Sequence, residues 1–185
     1  MSLYHEIHKE IIELSKAGNS KAQYRLYQLY ARAMYNICCR MMNDREEAED
    51  MLQESFTEAF LKLDSFRFES AFGAWIKRIT INKCINALKK RKADLVPVEN
   101  IPEEVAEDDI PDDVPGLSVE KIHQAMEKLP EGYRVIFSLY LLEGYDHAEI
   151  SQIMGISEAT SKSQYSRARQ RIKEILTNQH HERQF

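Results

Sequence analysis

Between Ala93 and Leu117 the chain carries four prolines, Pro97, Pro102, Pro111 and Pro115, and nine carboxylates without a single lysine or arginine. Proline lacks the backbone N–H that a helix or central strand needs, and crowded like charges repel. Such a stretch buries too little apolar surface to offset the entropy of ordering it. It is expected to be an acidic flexible linker, extended until something basic holds it. The linker divides the 185 residues into an N-terminal part, 1–92, and a C-terminal part, 118–185, each the size of a small single-core domain. Two small cores are therefore expected, with 93–117 between them.

The linker also explains the charge balance. The chain carries a net −5, and the nine acids Asp94, Glu99, Glu103, Glu104, Glu107, Asp108, Asp109, Asp112 and Asp113 more than account for it. Without them the remainder carries +4, so an acidic average does not exclude nucleic acid as a partner.

Both flanking parts read as helical, because apolar residues recur at intervals of three and four and no strand alternation competes. A first helix runs from about Leu3 to Lys16 and stops at Gly18. The second opens on a capping box, Ser20 with Gln23, and puts Ala22, Leu26, Leu29, Ala33, Ile37 and Met41 on one face. The third follows a box of Asp44 with Glu47 and carries Ala48, Met51, Leu52, Ser55, Phe56, Ala59 and Leu63. The fourth begins near Ser70, places Phe72, Trp75, Ile76 and Ile79 together and ends in Lys89, Lys90, Arg91 and Lys92. After the linker, four shorter helices are expected over 118–129, 131–142, 146–154 and 157–176, separated by Pro130, Gly144 and Gly155. The fold class is all-α, two small helical bundles.

No apolar run reaches the roughly 18 residues needed to cross a bilayer, and Met1 to Ser20 alternates charged and apolar residues. A cytoplasmic protein without membrane insertion is expected. Cys38, Cys39 and Cys84 lack Cys-x-x-Cys spacing and suit reduced, buried thiols. A di-metal carboxylate bundle would need two Glu-x-x-His motifs, and the chain offers one, Glu120 to His123. With no phosphate loop and no nucleophile motif either, no enzyme, no metal and no cofactor are expected.

The segment from Asp146 to Arg171 has the pattern of a DNA reader. Asp146 with Glu149 caps a helix whose apolar face is Ile150, Ile153 and Met154, and Gly155 ends it. After the short turn Gly155, Ile156, Ser157, a second helix starts at once, as in a helix-turn-helix. There Ser161, Tyr165, Ala168 and Ile172 share the inward face. Lys162, Ser163, Gln164, Ser166, Arg167, Arg169 and Arg171 offer phosphate and base-edge donors, opposed only by Glu158. The same pattern would fit a solvated basic helix, and a helix-turn-helix alone does not choose between repressor, activator and initiation factor.

Asp50-Met51-Leu52-Gln53-Glu54-Ser55-Phe56, then Asp64-Ser65-Phe66-Arg67 and Ser70-Ala71-Phe72-Gly73-Ala74-Trp75-Ile76, continued by Arg78 to Asn82, closely resembles region two of the extracytoplasmic-function sigma factors. Leu129 through Arg169 resembles region four of that family, in the family's order and with its kind of linker between. The resemblance implies a transcription initiation factor that binds core RNA polymerase and promoter DNA and is commonly restrained by an anti-sigma factor. It implies that Asp50, Gln53 and Glu54, on one helical face by their i, i+3, i+4 spacing, grip a basic coiled coil of the polymerase clamp. Phe66 and Asn82 would shape a pocket for a flipped base of the minus-ten element, with Lys77, Arg78 and Lys83 along the melted strand. Thr160, Lys162, Ser163, Ser166 and Arg167 would meet the minus-thirty-five element, while Ser161 and Gln164 depart from a pattern more often apolar and basic there. The linker would thread into the polymerase. Taken without the resemblance, the acids could be a solvated face, Phe66 a core ring and Asn82 a surface amide. A helix-turn-helix operator-binding regulator with an N-terminal sensor or dimerisation bundle would explain the C-terminal half equally well, but not the block from Asp50 to Asn82.

Overall fold

Apolar periodicity decides which helix faces turn inward, and helix caps set most of the boundaries. The computed structural model describes residues 3–94 and 119–181, with side chains over 8–91 and 120–177. The chain divides into two compact units, Met1–Leu95 and Val96–Phe185. Eight α-helices and no strand occur among the described residues. Nearly all of the expected linker lies outside them, except that the fourth helix continues through Ala93 to Asp94.

The N-terminal unit holds α1 (Leu3–Lys16), α2 (Ser20–Met42), α3 (Arg45–Leu61), a 3₁₀ turn (Leu63–Ser65) and α4 (Phe72–Asp94). α2 is capped one residue earlier than the sequence suggests. Asn19 Oδ1, not Ser20, accepts from the amides of Lys21 and Ala22 at 3.0 and 3.1 Å. Gln23, expected to complete the box, donates to the Ser15 carbonyl at 3.2 Å and so binds α2 to the end of α1. α2 ends at Asn43 with φ 56, a left-handed conformation that asparagine tolerates. For α3, Asp44 Oδ1 accepts from the Glu47 amide at 2.9 Å, while the Glu47 carboxylate pairs with Arg91 of α4.

The core between these helices contains Leu26, Met41, Leu63, Ile76 and Ile81, each fully buried and each contributing about 1.5–3 kcal/mol of apolar transfer. Ser55 and Thr80 are buried as well, and their hydroxyls donate one turn back to the Met51 and Ile76 carbonyls. Cys38 and Cys84 are buried with their Sγ atoms 3.8 Å apart, and the hydrogen bond to the Cys38 thiol, together with burial, pushes the Cys84 thiol far up. Cys39, expected to be buried too, is only half-buried.

The C-terminal unit holds α5 (Val119–Glu127), α6 (Glu131–Phe137), α7 (His147–Met154) and α8 (Glu158–His181). Its core is Ala125, Met126, Leu129, Phe137, Ala168 and Ile172. The helix expected over 131–142 changes pitch part-way: Ser138–Leu142 forms a π turn, with the Glu143 amide reaching the Ser138 carbonyl at 3.1 Å. Arg134, buried beneath, donates to the Leu129 carbonyl at 3.0 Å where α5 ends. α7 begins with the full capping box, Asp146 and Glu149 each accepting from the other's amide, and ends at Gly155 with φ 71. Only glycine adopts that angle without strain, so the turn into α8 depends on it.

Candidate polymerase and nucleic-acid interfaces

α3 has two unlike faces. Ala48, Met51, Leu52, Ser55, Phe56 and Ala59 are buried, which turns Asp50, Gln53 and Glu54 outward together beside Glu46 and Glu49. The three expected polymerase-binding residues thus share one exposed acidic face. Glu54 also meets α4. Lys83 Nζ lies 2.8 Å from Glu58 Oε2 and 3.5 Å from Glu54 Oε2. Its hydrogen bonds with Lys62 and Lys83 hold the Glu58 carboxyl below the usual range, and Glu58 raises Lys83 in turn. Lys83, expected along the melted strand, is therefore half-buried in an ion-pair set with the acidic helix.

On α4 the exposed stripe is Arg78, Asn82, Asn86, Lys89 and Lys90, with Lys77 half-buried at its flank. Arg78, Asn82 and Asn86 stand one turn apart and combine a cation with two amides, donors for phosphates and base edges. Asn86 escaped the sequence reading, although its i+4 spacing from Asn82 signals it. The loop before α4 is aromatic. Phe66 packs against Phe68, Phe72 and Trp75 at ring distances of 4.9, 5.6 and 5.3 Å. Phe66 is only 3% exposed. Its ring is packed among these other rings, so it can back a pocket for a base from beneath. Trp75, one turn before Arg78 and Ile79, is the half-buried ring that shares their side of α4.

In α8 the inward positions are Ser161, Tyr165, Ala168 and Ile172, of which Ser161 and Ala168 are wholly buried. Ser157 Oγ caps the helix by accepting from the Thr160 amide at 3.0 Å, and the Thr160 hydroxyl lies 2.7 Å from it. Thr160 is thereby partly spent on the cap. Lys162 Nζ pairs with Glu158 at 2.8 Å on an exposed surface, and Ser163 donates to the Thr160 carbonyl. Ser166 and Arg167 are half-buried one turn further on, and the Arg169 guanidinium lies 6.0 Å from the Tyr165 ring centre. The helix presents Lys162, Ser163, Ser166 and Arg167 on adjoining faces.

The surfaces on α3 and α4 and that on α8 fall within two family matches. The description Sigma-70 region 2 matches residues 26–93, and Sigma-70, region 4 matches residues 119–172. The ECF RNA polymerase sigma factor SigW of Bacillus subtilis is 30% identical over 179 residues, covering 91% of this chain and 96% of that protein. The chain belongs to the extracytoplasmic-function sigma factors. The RNA polymerase sigma-H factor of Pseudomonas aeruginosa is likewise 30% identical, over 94% of this sigma factor and 96% of its own length. Among solved structures, the sigma factor RpoE from Bartonella quintana, in complex with the anti-sigma factor NepR, aligns with a TM-score of 0.55 at 25% identity, covering 83% of this chain and 96% of that one. The region 2 match spans the block from Asp50 to Asn82, which a regulator with a sensor or dimerisation bundle does not explain, so the operator-binding regulator is not favoured. Among the described residues of this sigma factor no helix is long and apolar enough to cross a membrane.

Proposed function

We propose that this sigma factor, acting in the cytoplasm and without catalysis of its own, binds core RNA polymerase through α3 and reads a promoter with α4 and α8. Residues 1–92 form the region 2 domain, 118–185 the region 4 domain, and 93–117 the acidic linker that threads into the basic path of the polymerase. Asp50, Gln53 and Glu54 engage a basic surface of the clamp. Lys77, Arg78 and Asn82 hold the melted minus-ten strand, with Phe66 backing the pocket and Lys83 fixing α4 against α3. Thr160, Lys162, Ser163, Ser166 and Arg167 meet the minus-thirty-five duplex in the major groove. An anti-sigma factor that covers the same surfaces is the expected regulator, as NepR accompanies the Bartonella quintana relative.

The observation that carries this reading is the segregation of chemistry in region 2: acids on the exposed face of α3, and Arg78, Asn82, Asn86, Lys89 and Lys90 on that of α4. One protein can then hold a basic partner and an anionic strand at once. The test adds the purified protein to core RNA polymerase and maps transcript starts on a library of genomic fragments. Starts that require the protein support the reading, and their upstream sequences supply both elements. A protein that binds duplex DNA but never core polymerase would overturn it.

A further inference from the structure

One corner of the N-terminal unit is not used by the surfaces above. Phe68 stands at φ 59, in the left-handed region that bulky residues rarely adopt. Glycine or asparagine would make the same turn at lower cost, so a ring is kept here against a backbone penalty. Unlike Phe66, Phe68 is half-buried, with one side packed 4.9 Å from the Phe66 ring. Two cations approach it: Lys16 Nζ lies 4.9 Å from the ring centre and Lys9 Nζ 5.8 Å. Both come from α1, two helical turns apart on one face. Lys16 Nζ also donates to the Phe66 carbonyl at 2.6 Å, which fastens α1 to the loop. α1 precedes residue 26, where the region 2 match begins.

Single-stranded nucleic acid is bound by aromatic faces that stack bases and by ammonium groups that follow the phosphates. Phe68 with Lys9 and Lys16 combines both at the rim of the aromatic cluster that also contains Trp75, whose side of α4 leads on to Arg78 and Asn82. Bracing the loop needs only the Lys16 to Phe66 bond, which a glycine at 68 would leave in place. Neither the strained ring nor Lys9 is required for it.

We propose that Phe68, Lys9 and Lys16 form a second nucleotide subsite, which extends the minus-ten surface from α4 onto α1. A base of the melted promoter strand stacks on Phe68, and the two ammonium groups exchange their contacts with the ring for contacts with the strand's phosphates. The subsite rests on the reading that the α4 face holds melted minus-ten DNA, and that reading has its own control in Asn82.

The experiment uses holoenzyme reconstituted from the full chain and core polymerase. The probe is a labelled single-stranded DNA oligonucleotide carrying the minus-ten element of a promoter mapped as above, with its affinity followed across a salt series. Lys9→Gln should lower the slope of log affinity against log salt by about 0.7, the value for one phosphate contact on a single strand. Phe68→Gly should leave that slope unchanged yet weaken binding about five-fold or more, the loss of one stacked base. Because glycine relieves the left-handed strain, its thermal midpoint should not fall in step with affinity. Asn82→Ala serves as the control. If Asn82→Ala weakens binding while Lys9→Gln and Phe68→Gly bind as wild type at every salt concentration, the subsite is overturned and the minus-ten reading stands. If all three bind as wild type, both are overturned.

Discussion

His147 Nδ1 lies 2.9 Å from Ser161 Oγ, which joins the first turn of α7 to a fully buried position of α8. The His147 ring is stacked on Tyr140 at 4.5 Å and meets Tyr165 edge-on at 5.7 Å. Ser161 is fully buried, and His147 is the partner that makes a buried hydroxyl acceptable there. The contact fixes the two helices of the helix-turn-helix against each other. Ser161→Ala should destabilise the C-terminal domain by about 1 kcal/mol, because His147 loses its partner. His147→Phe keeps the stacking but strands the hydroxyl at similar cost. The double variant should regain most of the loss, since both polar groups are then gone. Thermal unfolding of the four proteins measures this. Strictly additive losses would show that the two side chains do not act as a pair.

The same histidine gives the domain a pH dependence. Burial, assisted by the nearby Lys162, holds His147 below histidine's ordinary 6.5, against the opposing pull of Glu158 and Asp146. The folded state then binds a proton less readily than the unfolded state, which takes up more protons between the lowered value and 6.5. Stability is accordingly full above about pH 6.5, falls as pH drops toward the folded value, and levels off beneath it. Unfolding midpoints of wild type and His147→Phe between about pH 7.5 and about pH 5 should converge as the pH falls. Parallel curves would assign the dependence to other groups.

Glu158 is the single acid on the turns of α8 proposed to face DNA, and its pair with Lys162 is exposed at 50% and 61%. A pair so open to water contributes little to stability, of the order of 0–1 kcal/mol. It does hold a cation that DNA would otherwise recruit, and it places a carboxylate near phosphates. Glu158→Gln should therefore tighten binding to a minus-thirty-five duplex and steepen its salt dependence, with the melting temperature nearly unchanged. Affinity measured across a salt series decides it. Unchanged affinity would mean that Lys162 lies off the DNA path.

What the sequence made legible was local. Asp146, Glu149 and Gly155 stand within ten residues of one another, and their cap, capping box and left-handed stop were readable because each depends on near neighbours. Asp50, Gln53 and Glu54 were readable as one face for the same reason. Tertiary relationships were not. Nothing near Lys83 in the sequence reveals that α3 supplies Glu58 and Glu54 to it, and although Phe68, Phe72 and Trp75 follow Phe66 within nine residues, no periodic pattern in that loop shows that their rings cluster around it. Lys16 reaches the Phe66 carbonyl across fifty residues of chain. Even the start of α2 moved by one residue, because Asn19 takes the cap that either neighbour could have supplied.

The pairing of Lys83 with Glu54 lets the polymerase and promoter surfaces of region 2 be separated by experiment. Glu54→Gln removes an exposed charge from the α3 face, but Glu58 at 2.8 Å still holds Lys83, so α4 keeps its place. That variant should bind core polymerase more weakly, by roughly 1 kcal/mol or more if the charge meets a basic partner directly. Holoenzyme formed at saturating concentration should still open the promoter. Asn82→Ala should do the reverse. Asn82 is exposed on α4 and is not one of the acidic-face residues of α3, so its loss should leave core binding intact and cost about 1–3 kcal/mol of minus-ten discrimination. Core affinity and permanganate reactivity of the minus-ten thymines, measured on both variants, give the two readouts. Opposite patterns assign the surfaces as proposed. If Asn82→Ala instead weakens core binding and leaves opening untouched, the α4 stripe is a polymerase contact and the melted strand lies elsewhere.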